Sequence, residues 1–88
     1  MTTVIDAMRA RLGALDPLAV EIEDDSAKHA GHAGARSGGG HFRLAIVSSR
    51  FAGCTTMARH RLVYDALAPL MKQEIHALSI SARTPDEK

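Results

Sequence analysis

Val4, Ile5, Met8, Leu12 and Leu15 recur at the spacing of one helical stripe, while Asp6, Arg9 and Arg11 fall elsewhere on the cylinder. The pattern predicts a helix over residues 2–15, capped by Thr2 or Thr3. It should stop at Asp16-Pro17, because proline disfavours helical geometry at the residue before it. The period then changes to two. Leu18, Val20 and Ile22 alternate with Ala19, Glu21 and Glu23, and later Phe42, Leu44 and Ile46 alternate with Arg43, Ala45 and Val47. Each run reads as a half-buried strand with one packed and one wet face.

After a turn at residues 48–53, Met57, His60, Val63, Tyr64, Leu67 and Met71 follow helical spacing, with Thr55 or Thr56 as the candidate cap and Arg59, Arg61 and Asp65 off the stripe. Pro69 should break this helix near Ala68 and open a short further turn. Residues 75–81 read as a third strand whose His76, Leu78 and Ile80 share one face, with His76 near the sheet's rim. Residues 82–88 read as a fraying tail. The order helix, strand, strand, helix, short helix, strand makes one α+β domain over residues 1–88. An antiparallel first pair and a crossover to a parallel third strand give a small mixed sheet, with both helices on one face.

Between the first two strands lies a connection of about 17 residues (24–40), where hairpins use about 2–5 and loops beyond about 12–15 are commonly functional or disordered. Its core, residues 28–41, holds His29, His32 and His41 among glycines and alanines, three of the five histidines of the chain. Glycine is unfavourable inside regular structure, so this stretch reads as a ligand-bearing loop. The remaining composition narrows the chemistry. Apolar residues are 45% of the 88, without Trp and with only Phe42, Phe51 and Tyr64 aromatic, so an aliphatic core is the expectation. A net charge of +1 neither demands nor excludes a nucleic-acid partner. Cys54 is the sole cysteine, which rules out an internal disulfide and a self-contained thiolate site. With Asp6 and Arg9 interrupting the first apolar pattern and no long apolar run, the expectation is a soluble cytoplasmic protein without a membrane partner.

Phe51-Ala52-Gly53, the run Arg59-His60-Arg61-Leu62-Val63-Tyr64 and Ile75-His76-Ala77-Leu78 together resemble the signature of the BolA family. Asp25-Ser26, His29 and His41-Phe42-Arg43 resemble its first half, so the similarity runs over residues 3–84. The resemblance implies a fold like the class II KH domain. It also implies partnership with a monothiol glutaredoxin in iron–sulfur cluster handling; some members are described as DNA-binding regulators. It implies further that His76 is a cluster ligand and that a second comes from the loop, here His29, His32 or His41. The other branch of the family has a loop cysteine, and this chain has none there.

A [2Fe–2S] cluster takes four ligands, and His can replace Cys on one iron, as in Rieske centres. His76 with one loop histidine would supply an imidazole pair, and the resemblance implies that a partner's cysteine and a glutathione thiolate supply the rest. Isolated, the chain would then hold no cluster and be a monomer or weak homodimer. Protonated imidazole cannot ligate, so such a site suits transfer or sensing. Rival readings draw on the same residues. His29 and His32 have a zinc-like spacing but no second ligand pair. His60 reads as a packing residue. Cys54 and His60 suggest a nucleophile dyad, yet no oxyanion-stabilising motif accompanies them. Enzymatic activity is therefore not expected. The main alternative is a DNA-binding regulator using Arg43, Arg50, Arg59 and Arg61, against which stand the missing GXXG clamp at Gly53-Cys54-Thr55-Thr56 and the scarcity of aromatic stacking residues.

Overall fold

A computed structural model describes residues 3–25, 40–72 and 74–87. Helix α1 spans Val4–Leu12. Thr3 and Asp6 close its start reciprocally, the Thr3 hydroxyl accepting from the Asp6 amide at 3.0 Å and the Thr3 amide donating to the Asp6 carboxylate at 3.3 Å. From Gly13 the helix tightens into a 3-10 turn, Gly13–Leu15, and Asp16 takes a left-handed conformation (φ 52°) before Pro17. The stripe read from the sequence is the buried one at Met8, Leu12 and Leu15.

Strands β1 (Ala19–Asp24) and β2 (Gly40–Val47) pair antiparallel, with Glu23 opposite Arg43 and Ile22 opposite Leu44. Asp24 and Gly40, both expected in the connection, are thus the ends of strands. A 3-10 turn, Ser49–Phe51, then buries Phe51 completely, and Gly53 at φ 76° supplies the left-handed residue that re-aims the chain into α2, Thr56–Leu67. Thr55 caps α2, its hydroxyl accepting from the Ala58 amide at 3.1 Å. The helix ends at Leu67 and passes into a 3-10 turn containing Pro69, as the proline requires. Strand β3, Ile75–Arg83, lies parallel to β2, so the sheet order is β1-β2-β3 with β2 central.

Both helices cover one face. Phe42, Leu44 and Ile46 of β2 meet Met8, Leu12, Val63 and Leu67 in a single apolar cluster completed by Leu15, Phe51 and Ile75. Burying each such side chain is worth about 1.5–3 kcal/mol. On the opposite face Glu21, Glu23, Arg43, Ser79, Ser81 and Arg83 are exposed. This is the mixed α+β architecture expected.

Four local expectations are corrected. Leu18 precedes β1 and is 69% exposed, because its alternation with Val20 continues past the edge of the core. On α2, Val63 and Leu67 are buried while Met57 and Tyr64 are exposed. At about 100° per residue, Tyr64 stands a quarter-turn or more from Val63 and Met57 somewhat further, whereas Arg59 lies on the Val63 side. The tail does not fray over the described residues: β3 continues through Arg83, Thr84 is buried, and Glu87 pairs with Arg59. His76, finally, does not share the inward face of Leu78 and Ile80. Gly40 pairs with Ile75 but His41 pairs with Ala77, so β3 carries an extra residue there. That bulge turns Ile75 into the core and leaves His76 exposed.

Candidate functional site

The bulge brings two candidate ligands together. His41 is the second residue of β2, and its side chain belongs to the same outward alternation as Arg43. His76 is the second residue of the neighbouring β3. Their ring centroids are 5.3 Å apart with the planes inclined by 46°. Both lie at the end of the sheet where β2 and β3 begin, and His41 is half-buried while His76 is exposed. Regular pairing would have put Ile75 and His76 on the opposite faces from those they occupy. The sequence carries a faint sign of this: apolar Ile75 directly precedes His76, while Leu78 and Ile80 then continue at period two, so the two apolar runs are out of phase by one residue.

Backbone bonds hold the site from both sides. The Asp25 amide donates to the His41 carbonyl at 2.7 Å, and the Gly40 amide donates to the Glu74 carbonyl at 2.9 Å. Beside His41 on the outer face, Arg43 donates to Glu23 at 2.8 Å and lies 2.8 Å from the Asp25 carboxylate. The Asp25 charge, then the hydrogen bond to Glu23, raise the Arg43 pKa above its ordinary value. A shallow depression of about 300 Å³ opens between these elements, lined by Asp25, His41, Phe42, Arg43 and Ala77 to Ser79.

Two imidazoles suit the nitrogen half of a mixed nitrogen and sulfur ligand set. Among the described residues, no three His, Cys, Asp or Glu side chains gather into a group that could hold a metal ion. His29 and His32, with the zinc spacing between them, lie outside the described residues. His60 is half-buried on α2. Cys54 is a partly buried free thiol that donates to the Arg50 carbonyl at 3.8 Å.

The four arginines of the nucleic-acid alternative part company. Arg43 is engaged by Glu23 and Asp25. Arg59 has a side chain only 14% exposed and donates to the Cys54 carbonyl at 3.0 Å, the Ala82 carbonyl at 3.1 Å and both Glu87 carboxylate oxygens. Arg50 and Arg61 are exposed. Arg59 is thus a residue whose structural part the periodicity missed: it falls on the buried side of α2 and reaches across to β3.

The fold defines the class of protein first: an α+β domain of the class II KH-like kind, with two helices on one face of a three-stranded mixed sheet. Solved structures agree. The BolA domain of SufE1 from Arabidopsis thaliana superposes with a TM-score of 0.79 at 47% identity, over 93% of this chain and 92% of that one. BolA1 from Arabidopsis thaliana gives a TM-score of 0.84 at 37% identity, over 100% and 99%. The model of the family described as BolA-like protein matches residues 12–87, and the chain belongs to that family.

Among its relatives, SufE-like protein 1, chloroplastic/mitochondrial, of Arabidopsis thaliana is 50% identical over 78 residues, 83% of this chain but 21% of that protein. BolA-like protein 1 of Mus musculus is 46% identical over 80 residues, 90% of this chain and 56% of that protein. The chain therefore spans only part of these relatives' length. The cytoplasmic expectation is overturned by the relatives whose descriptions carry a compartment. SufE-like protein 1 is chloroplastic/mitochondrial, and protein BOLA1 of Arabidopsis thaliana, 45% identical over 76 residues, is chloroplastic. Cysteine usage reports redox conditions and cannot tell one reducing compartment from another. No described helix is long and apolar enough to cross a membrane.

Proposed function

We propose that this chain is a non-enzymatic adaptor that binds a monothiol glutaredoxin and co-ligates a [2Fe–2S] cluster shared with that partner and glutathione. The observation that carries the reading is the His41–His76 pair, two imidazoles on adjacent strands with centroids 5.3 Å apart at the end of the sheet where β2 and β3 begin. His76 and His41 are the ligands the geometry favours, with His41 chosen from the three loop candidates because β2 and the Asp25 amide hold it. A ligand already ordered by a strand loses less conformational freedom on binding than one carried by a loop. The bound cluster would supply an iron–sulfur unit for delivery or sensing. The chain's own part is to offer nitrogen donors, leaving the thiolate positions to the partner.

DNA binding is the weaker reading. Arg43 and Arg59 already spend their charge on carboxylates of this chain, which reduces the basic surface available to phosphate. The test is optical. Adding this chain to a cluster-loaded monothiol glutaredoxin should change the visible absorption and circular dichroism, and His76→Ala should abolish that change. No complex and an unchanged spectrum, with salt-sensitive DNA binding in their place, would overturn the adaptor.

A further inference from the structure

On the outer face of the sheet, Glu23, Arg43 and Asp25 form a clamp directly beside His41. Arg43 and Glu23 are cross-strand partners, and the guanidinium reaches both the Glu23 and the Asp25 carboxylates at 2.8 Å. Asp25 lies just beyond the end of β1, its side chain only 14% exposed, and its amide holds the His41 carbonyl at 2.7 Å. The same arginine thus fixes the side chain of the residue whose backbone fixes His41. On the other flank His41 is paired with Ala77, just past the bulge that presents His76.

From this arrangement we infer that Arg43 is a positioning residue: by clamping Asp25 it keeps β1 and β2 zipped through His41 and holds that imidazole against His76. The inference rests on the reading of His41 and His76 as ligands. Two observations separate it from a general stabilising role. The ladder between β1 and β2 is held from Ala19 to Asp24 by its own strand pairing, and the Arg43–Asp25 contact lies one residue beyond its end, beside His41. The exposed Arg43–Glu23 pair adds little to stability, whereas the Asp25 carboxylate, 14% exposed, is held in place by the guanidinium at 2.8 Å, so the clamp acts where Asp25 meets His41. Partners behind a metal-binding imidazole commonly change metal affinity by about 10–100-fold when removed.

The test begins with the isolated chain in solution. Nuclear Overhauser contacts between the His41 and His76 rings are compared in the wild type, Arg43→Gln, Arg43→Lys and Asp25→Asn, the last keeping the backbone donor while removing the charge. Loss of the contacts in Arg43→Gln and Asp25→Asn, with partial recovery in Arg43→Lys and unchanged amide signals for Ile46 and Val63, is the expected result. Titration with cluster-loaded monothiol glutaredoxin should then show Arg43→Gln binding about tenfold or more weaker than wild type. Ring contacts that survive in both Arg43→Gln and Asp25→Asn overturn the inference. If the contacts are lost as expected but the wild-type chain leaves the glutaredoxin spectrum unchanged, positioning by Arg43 stands and co-ligation falls.

Discussion

One guanidinium, that of Arg59, ties three parts of the chain together. It donates to the Cys54 carbonyl just before α2, to the Ala82 carbonyl near the end of β3, and to the Glu87 carboxylate in the turn beyond. Glu87 also accepts from the Thr84 amide at 3.0 Å. The hydrogen bond from Arg59 first, and that from Thr84 second, hold the Glu87 pKa down at about 2 against an ordinary 4.5. A carboxylate whose folded pKa is depressed stabilises the fold fully above its unfolded pKa, and that contribution is lost as pH falls through the folded value. The closure of this turn should therefore be complete above about pH 4.5 and open as pH falls toward about 2. A carbon-13 titration of the Glu87 carboxyl checks this, and Arg59→Met should return its midpoint toward the ordinary value. Ordinary helical counting placed Arg59 off the apolar stripe, since a long polar side chain that runs along the buried side of a helix to reach backbone acceptors leaves no mark on hydrophobic periodicity.

At the scale of elements, caps and alternation were the readable signals. Thr55 was one of two candidate caps for α2, and it is the residue whose hydroxyl accepts from Ala58. Thr55→Ala should lower stability by about 1 kcal/mol, measurable as a shifted denaturation midpoint with an unchanged slope; an effect near zero would show that the cap is dispensable in this context. The inward alternation of β2 was fully legible in Phe42, Leu44 and Ile46. The start of β3 was not, because a bulge changes register without changing composition, and a strand read as strictly alternating sends His76 to the wrong face. Tertiary pairing decides such a position: Gly40 opposite Ile75 and His41 opposite Ala77 leave His76 as the extra residue. On α2, Met57 and Tyr64 satisfied a helical spacing that could be drawn more widely than the core it serves.

For the molecule as a whole, the order of elements and the placement of helices on one face followed from the change of period along the chain, and the family signature led to the same architecture. His76 was named from the family signature, but that His41 is the loop histidine beside it was not legible, because the sequence separates His41 and His76 by a helix and two turns. Only the parallel pairing of β2 with β3 makes them neighbours. Among the described residues the site offers two imidazoles at the end of the sheet where β2 and β3 begin, which suits a group completed by a second protein.

The central claim is that imidazole nitrogens of this chain are bound to the shared cluster. The most direct measurement is pulsed electron paramagnetic resonance of the reduced complex, formed from this chain labelled with nitrogen-15 at histidine and an unlabelled, cluster-loaded monothiol glutaredoxin. The account predicts strong nitrogen-15 couplings from two imidazoles, with one missing in His41→Ala and the adduct lost in His76→Ala. A reduced cluster in the complex that shows no nitrogen-15 coupling from the labelled chain would contradict it.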